Sequence, residues 1–181
     1  MKIQITGNVL GLLAGLLLVT QPANGEVIDS SQNGFTIEFK REINAPVSDV
    51  YGALTDNIGQ WWLDAHTWYG SGKNMTLTAE AMGCFCEKFG DSETMHMQVA
   101  KVEPNNLIRL LGGLGPLQGE GVTGVMEWRM KVIADNRTEF SLFCRVGGYT
   151  PSDLSQWAGA VDGVLQQQIG AMKSFVEQVN Q

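Results

Sequence analysis

Cysteine and histidine, the side chains that most often do chemistry, are scarce here: 181 residues hold three of the first and two of the second. The cysteines are Cys84 and Cys86, one residue apart, and a distant Cys144. Thioredoxin-like exchange needs Cys-x-x-Cys at a helix start, where the helix dipole lowers a thiol pKa, and that spacing is missing. A closed zinc site needs four ligands, and the Cys-x-Cys spacing is not that of a zinc knuckle. His66 and His96 are the chain's only imidazoles. No metal and no cofactor are therefore expected.

Other signatures are missing too. No Gly-x-Ser-x-Gly elbow marks a hydrolase nucleophile. The glycine-rich string LLGGLGPLQGEG, from 110 to 121, lacks the lysine-serine or lysine-threonine end of a phosphate-binding loop. EF-hand and His-Glu-x-x-His patterns do not occur. Charge runs, internal repeats and low-complexity stretches are absent as well, and no extended linker divides the chain. Basic residues are few, 12 against 19 acidic ones, which argues against nucleic acid or an anionic lipid surface as partner.

One apolar run stands out, Val9 to Val19, behind a single lysine and ahead of Ala23-Asn24-Gly25. It is short for a permanent membrane span. Its layout is that of a secretory signal peptide cleaved after Gly25, so residues 1–25 read as a leader and 26–181 as one domain. The leader takes Lys2 with it, leaving 156 residues with 11 basic and 19 acidic side chains, a net charge near −8. That size supports one domain with a sizeable core. No lipidation cysteine follows the leader, so no stable membrane anchor is expected after cleavage. The expected location is periplasmic or secreted, an environment that permits disulfides.

Along the mature chain, residues 26–34 read as a lead-in. Then Phe35, Ile37, Phe39, Arg41 and Ile43 alternate with Thr36, Glu38, Lys40 and Glu42, the pattern of a half-buried strand. Asn44-Ala45-Pro46 ends it. Val47, Val50, Tyr51 and Leu54 then fall on one helical face, and Thr55 or Asp56 could cap a second short helix running to Trp61 and Trp62. Six strand candidates follow, at 75–81, 83–89, 94–102, 106–111, 122–132 and 138–146. Val122, Gly124, Met126, Trp128, Met130 and Val132 share one face of the fifth of these; Phe140, Leu142, Cys144 and Val146 share one face of the sixth. One wet and one dry face suit an antiparallel sheet. From Leu154 to Val176 an apolar stripe including Trp157, Ala158, Val161, Leu165, Ile169 and Met172 defines one helix of roughly 25 residues, with Ser152 or Asp153 as cap. Lacking a partner helix of similar length, it must bury that stripe on the sheet.

This order, and the strings INAPVSDVYGALTDNIGQWW (43–62), MGCFCEKF (82–89), RLLGGLGPLQ (109–118), VTGVMEW (122–128) and CRVGGY (144–149), resemble the START-like or helix-grip (SRPBCC) superfamily. The nearest branches are the polyketide cyclases and the homologues of the heat-shock-protein-90 activator. The resemblance spans nearly the whole mature chain. It implies an α+β fold in which a strongly curved seven-stranded antiparallel sheet grips the C-terminal helix, with two short helices after the first strand and a pocket inside. The superfamily includes carriers, receptors, cyclases and hydratases, so the shell does not name the job. An export leader departs from the cytoplasmic branches and argues against co-chaperone work.

On a regular strand Cys84 and Cys86 point to the same side, about 6.6–6.8 Å apart at Cα, the far edge of disulfide range. A bond requires a bent or bulged strand; the alternative is a pair of reduced structural thiols. Cys144 reads as a small buried hydrophobe. If Phe85 faces inward, so does Glu87, either as a rim residue paired with Arg109 or Arg145 or as a general acid or base in an apolar cavity. His96 lies opposite Met95 and Met97 in alternation, which places it toward solvent.

Candidate ligand contacts are Trp61, Trp62 and Trp68 in an aromatic loop region that also holds Tyr69; Met126, Trp128 and Met130 on the sheet; and Trp157 and Val161 on the helix. Glu87, Arg109, Arg145 and Tyr149 are the polar candidates, and Glu87 and Tyr149 the catalytic ones. Leu114, Pro116 and Leu117 could frame an entrance. Gly159, Gly163 and Gly170 suggest close approach of the long helix to a strand or ligand, since glycine inside a helix costs about 1 kcal/mol. The expected partner is a small hydrophobic or aromatic molecule or lipid; an enzyme of cyclase or hydratase type and a pocketless interaction module are the alternatives. A cavity above about 300 Å³ without titratable groups would favour carriage, and a buried carboxylate facing tyrosine or histidine would favour chemistry. The sequence leaves oligomeric state open.

Overall fold

The computed structural model of the chain describes residues 26–180. The expected leader, 1–25, lies outside the described residues. The first element is a strand, β1 (Glu26–Ser31), in the stretch expected to be a lead-in. It pairs antiparallel with β2 (Gly34–Ile43), so the sheet has eight strands rather than seven. Asp29, Ser30 and Ser31 hide β1 from a hydrophobic pattern: it is an edge strand, held through its backbone, and polar residues suit an edge.

Helices α1 (Val47–Thr55) and α2 (Ile58–Trp61) carry the chain from β2 across to the far edge. Val50, Ala53 and Leu54 form the buried face of α1. Neither Thr55 nor Asp56 caps α2, whose N-cap is Asn57. Six strands return: β3 (Met75–Leu77), β4 (Cys84–Phe89), β5 (Ser92–Glu103), β6 (Leu107–Leu111), β7 (Thr123–Ala134) and β8 (Arg137–Gly147). All pairings are antiparallel, in the order β1-β2-β8-β7-β6-β5-β4-β3. The meander thus closes by laying β8 along β2 over ten residue pairs, Gly34 to Ile43 against Gly147 to Thr138.

The long helix α3 (Ser155–Val179) runs 25 residues, about 37 Å at the usual rise. Neither Ser152 nor Asp153 is its N-cap, which is Leu154; Asp153 nonetheless accepts from the Ser155 backbone N–H at 3.0 Å. Ala158, Leu165, Ile169, Met172 and Val176 are buried on the side expected. The curved sheet wraps this helix, a helix-grip architecture. Phe35, Ile37, Trp128, Phe140 and Leu142 form the centre of the core from the sheet side.

The helix glycines do not mark a close approach. A Cβ at Gly159, Gly163 or Gly170 would meet nothing within 4 Å.

Candidate functional site

The cysteine strand settles the local geometry. Met75 faces Glu87 and Leu77 faces Phe85 across β3 and β4, and all four side chains are buried. Phe85 and Glu87 therefore point inward, and the intervening parity turns Cys84 and Cys86 to the other face. Those two cysteines are joined as a disulfide with Cα atoms 5.3 Å apart, closer than a regular strand would hold them.

Opposite them the ladder slips. Phe85 pairs with Met97, but Cys86 pairs with Met95. His96 is the extra residue on β5, a β-bulge, and a bulge re-aims a side chain. Alternation would have sent His96 to solvent; instead it is 4% exposed while Met95 is 55% exposed. The Gln118 amide donates to the Met95 carbonyl at 2.6 Å.

The re-aimed imidazole meets Glu87. His96 Nε2 lies 3.3 Å from Glu87 Oε2, with the two side chains 3% and 0% exposed. The same carboxyl accepts the Trp68 backbone N–H at 2.8 Å and that of Tyr69 at 2.6 Å. Tyr69 adds a hydroxyl contact to Thr94 Oγ1 at 2.9 Å. Burial pushes the His96 pKa below its ordinary 6.5, and the hydrogen bond and charge of Glu87 oppose that without overcoming it. A neutral ring with Nε2–H donating to Glu87 keeps a lone pair on Nδ1, and Nδ1 is buried with no hydrogen-bond partner among the described residues.

His96 forms part of the wall of a cavity of about 280 Å³ between the sheet and α3. One wall is the 62–68 loop, where Trp62, Ala65, His66, Thr67 and Trp68 line the space. A second is the turn at Leu114–Leu117. The third is the N-terminal half of α3, from Trp157 and Val161 to Leu165. The loop wall is fastened at several points. Trp62 Nε1 donates to the His66 carbonyl at 3.1 Å, the Leu63 N–H donates to Gln168 Oε1 at 3.0 Å, and Gly72 N–H donates to Asp64 Oδ1 at 2.7 Å. Gly72 is obligatory there, since a Cβ would sit 1.8 Å from the Trp62 carbonyl oxygen.

Of the residues singled out from sequence, Trp62, Trp68, Trp157 and Val161 line the cavity, and Glu87 stands behind His96. Leu114, Pro116 and Leu117 line it as well. The others lie elsewhere. Trp61 is buried against α1, its Nε1 donating to the Ala53 carbonyl at 2.7 Å. Met126, Trp128 and Met130 face inward, yet they are packed into the core and do not line the cavity.

Arg109 points to the outer face and bonds Glu127 Oε1 at 2.6 Å. Burial would raise the Glu127 carboxyl, but Arg109 and Arg129 outweigh it and hold its pKa below the usual value. Arg145 is also on the outer face, donating to Thr36 Oγ1 at 3.1 Å with its guanidinium 5.1 Å from the Phe143 ring centre. Neither arginine pairs with Glu87. Tyr149 is 92% exposed and outside the cavity, so it is no partner for a buried acid. Sequence reasoning misses His96, because only the strand pairing reveals the bulge, and also Ala65, His66, Thr67, Ala160 and Val164, which line the cavity beside the tryptophans and Val161 that were singled out.

Among the described residues no group of three or more His, Cys, Asp or Glu side chains could hold a metal ion. No helix among them is long and apolar enough to cross a membrane.

No protein-family profile and no curated protein matches the chain. Solved structures do. CalU16 from Micromonospora echinospora superposes with a TM-score of 0.58 at 15% identity, over 86% of this chain and 84% of that one. An uncharacterised protein from Rhizobium leguminosarum gives 0.56 at 15% identity, over 80% and 95%. Protein MLL2253 from Mesorhizobium loti gives 0.56 at 16%, over 79% and 97%. At such identities the likeness concerns the fold alone. The chain has a START-like, helix-grip fold.

Proposed function

We propose that the protein binds a small hydrophobic or aromatic molecule in the cavity between α3 and the sheet. The observation that carries this reading is the lining: three tryptophans, Trp62, Trp68 and Trp157, with Val161, Val164, Leu165 and Leu117, against few polar groups. At about 280 Å³ the cavity falls just short of the size set above for carriage, and His66 and His96 stand in its wall, so the apolar lining, rather than size or neutrality, supports this reading. Pockets of this kind are mostly apolar with a few placed polar groups. The compartment we propose is periplasmic or secreted, on the pattern of residues 1–25.

A second reading, an enzyme that moves a proton, is favoured by one feature, the buried Glu87–His96 pair at the cavity wall. In that reading His96, oriented by Glu87, replaces Tyr149 as the group that takes the proton.

Native mass spectrometry of freshly purified protein, with and without denaturation, tests binding directly. A bound mass that denaturation releases supports the proposal. Val161→Trp, which fills the cavity from α3, should abolish that mass while leaving the circular dichroism spectrum unchanged. Retention of the mass in a folded Val161→Trp protein would place the ligand elsewhere.

A further inference from the structure

We propose that the Cys84–Cys86 cystine is a reversible redox modification site, and that its state sets the register at the start of β5. The register in turn decides which of two neighbours, His96 or Met95, faces the interior. The device belongs to the β4–β5 pair and operates whether or not the cavity takes a ligand.

The cystine and the bulge lie opposite each other. On β4, Cys84 and Cys86 are 5.3 Å apart at Cα, about 1.3–1.5 Å less than the two rises of a regular strand. On β5 the facing stretch runs from Gln98, the partner of Cys84, to Met95, the partner of Cys86, and holds one residue more than the ladder can pair. One rail of the ladder is shortened where the other is lengthened, so the bond and the bulge accommodate each other. The outcome inverts what burial alone would favour: His96 is 4% exposed, and Met95, the more apolar of the two, is 55% exposed.

Opening the cystine frees β4 to extend. A one-residue slip of residues 92–96 then sets His96 opposite Cys86 and Met95 opposite Glu87, and turns each of those side chains to the other face. The pairs from Met97 onward stay as they are, Met97 with Phe85 and Gln98 with Cys84. The hairpin turn, Gly90 and Asp91 between Phe89 and Ser92, gains Ser92, and three-residue hairpin loops are common. The slip gives up the His96–Glu87 contact, the Tyr69–Thr94 contact and the Gln118 bond to the Met95 carbonyl. The exposed Lys88–Glu93 pair goes too, at little cost. In return Met95 takes its apolar area out of water and the imidazole is hydrated, while Glu87 keeps the Trp68 and Tyr69 N–H donors. With gains and losses on both sides, the length of the 84–86 span decides between the registers.

The reaction is thiol–disulfide exchange with a dithiol. Both cysteines lie on the outer face, Cys84 half-buried and Cys86 buried, so the incoming thiolate attacks Cys84 Sγ. A mixed disulfide forms, and Cys86 leaves as a thiolate and takes a proton. The second thiol of the reductant then attacks its own sulfur in the mixed disulfide and releases Cys84, which is protonated in turn. The dithiol becomes a disulfide, and the cystine takes up two electrons and two protons.

The test is reduction of the folded protein with dithiothreitol, followed by NOE spectroscopy with ¹³C-labelled methionine methyls. In oxidised protein the His96 and Phe85 rings, with centroids 5.5 Å apart, should share an NOE, and the Met95 methyl should show none to Phe85. After reduction, seen as a mass gain of two hydrogens, the ring NOE should be lost and a Met95–Phe85 NOE should replace it. Signals from β2, β7 and β8 should stay in place, and reoxidation should restore the first pattern. Cys84→Ser/Cys86→Ser should match the reduced wild type. Reduced Met95→Gln, which lacks the apolar gain, should keep His96 against Phe85. A ring NOE that survives reduction of wild type would overturn the proposal, since the bulge would then stand without the bond. A cystine that dithiothreitol leaves intact in the folded protein would overturn the modification site. Loss of signals across the whole sheet would overturn the register device, because the bond would be holding the fold instead. His96 turning outward in reduced Met95→Gln would overturn the role given to Met95.

Discussion

Glu87 and His96 are coupled through one hydrogen bond, but they are held by different parts of the chain, and that difference sets what each substitution should do. Glu87 receives two backbone donors, so Glu87→Gln puts an amide N–H₂ against one of them. A buried donor left facing a donor costs about 1–3 kcal/mol. The urea midpoint of Glu87→Gln should fall accordingly at unchanged slope, and amide exchange at Trp68 and Tyr69, the residues it anchors, should quicken. An unchanged midpoint would mean that the carboxyl does not hold the loop.

His96 makes a pH prediction whose sign follows from the direction of its shift. Its folded pKa lies below 6.5 because burial dominates over Glu87. Between the folded value and the unfolded one, about 6.5, the unfolded chain binds the extra proton and the folded chain does not. The contribution is therefore fully present above about pH 6.5 and is lost as pH falls through the folded pKa. The groups facing His96 that could confound this are Glu87 and, across the cavity, His66. Comparing wild type with His96→Leu by urea unfolding at pH 7.5 and at pH 5.5 isolates the term: wild type should lose more stability on acidification. Equal losses would contradict the lowered pKa. Removing the Glu87 charge should move the His96 midpoint further down in an NMR titration, since that charge is what opposes burial.

At the scale of elements, side-chain parity was legible and depth was not. Arg145, expected as a pocket contact, is instead turned outward by the same alternation that buries Leu142, Cys144 and Val146, and the structure puts it beside Thr36 and Phe143. Met126, Trp128 and Met130 were rightly assigned to the inner face, but periodicity carries no information about which end of the helix stands off the sheet. The space opens at the N-terminal half of α3, from Trp157 to Leu165, whereas Ile169, Met172 and Val176 are buried farther along. Two further features escaped because they belong to pairs of strands. The inward turn of His96 is a register slip between β4 and β5, and β1 is a strand by virtue of its backbone pairing with β2.

The glycines of α3 show the same limit, since their spacing on paper could not reveal that open space surrounds them. Glycine in a helix interior is about 1 kcal/mol worse than alanine, and here no steric reason retains it. Gly159→Ala, Gly163→Ala and Gly170→Ala should each stabilise the protein, by about 0.5–1 kcal/mol. For a domain of this size that is a rise of roughly 2–4 °C in Tm per kcal/mol. A fall in Tm for any of the three, by differential scanning calorimetry, would mean that the position has a contact which the isolated chain does not display.

The whole molecule is held by its sheet closure and core, and the disulfide contributes little to that. Cys84 and Cys86 enclose a loop with a sequence separation of 2. In the chain-entropy account a bridge that closes so few residues stabilises by about 1.5 kcal/mol, against about 4.7 for a loop of 100. β2 and β8, by contrast, bring Gly34 beside Gly147 and Ile43 beside Thr138, and α3 covers the surface that this closure creates. The double variant Cys84→Ser/Cys86→Ser should therefore keep its fold and cooperative unfolding, with a loss of no more than about 1–2 kcal/mol. Cys144 supplies an internal control. Burial pushes its thiol pKa up to about 12, so at neutral pH it is un-ionised as well as enclosed. Native oxidised protein should give no titratable thiol with a disulfide reagent, and one after unfolding. Unfolded, reduced protein should give three, in line with its cysteine content. One reactive thiol in the native state would place Cys144 at the surface, contrary to the core described. Collapse of the fold in the double serine variant would show that so short a bridge organises far more than its own strand.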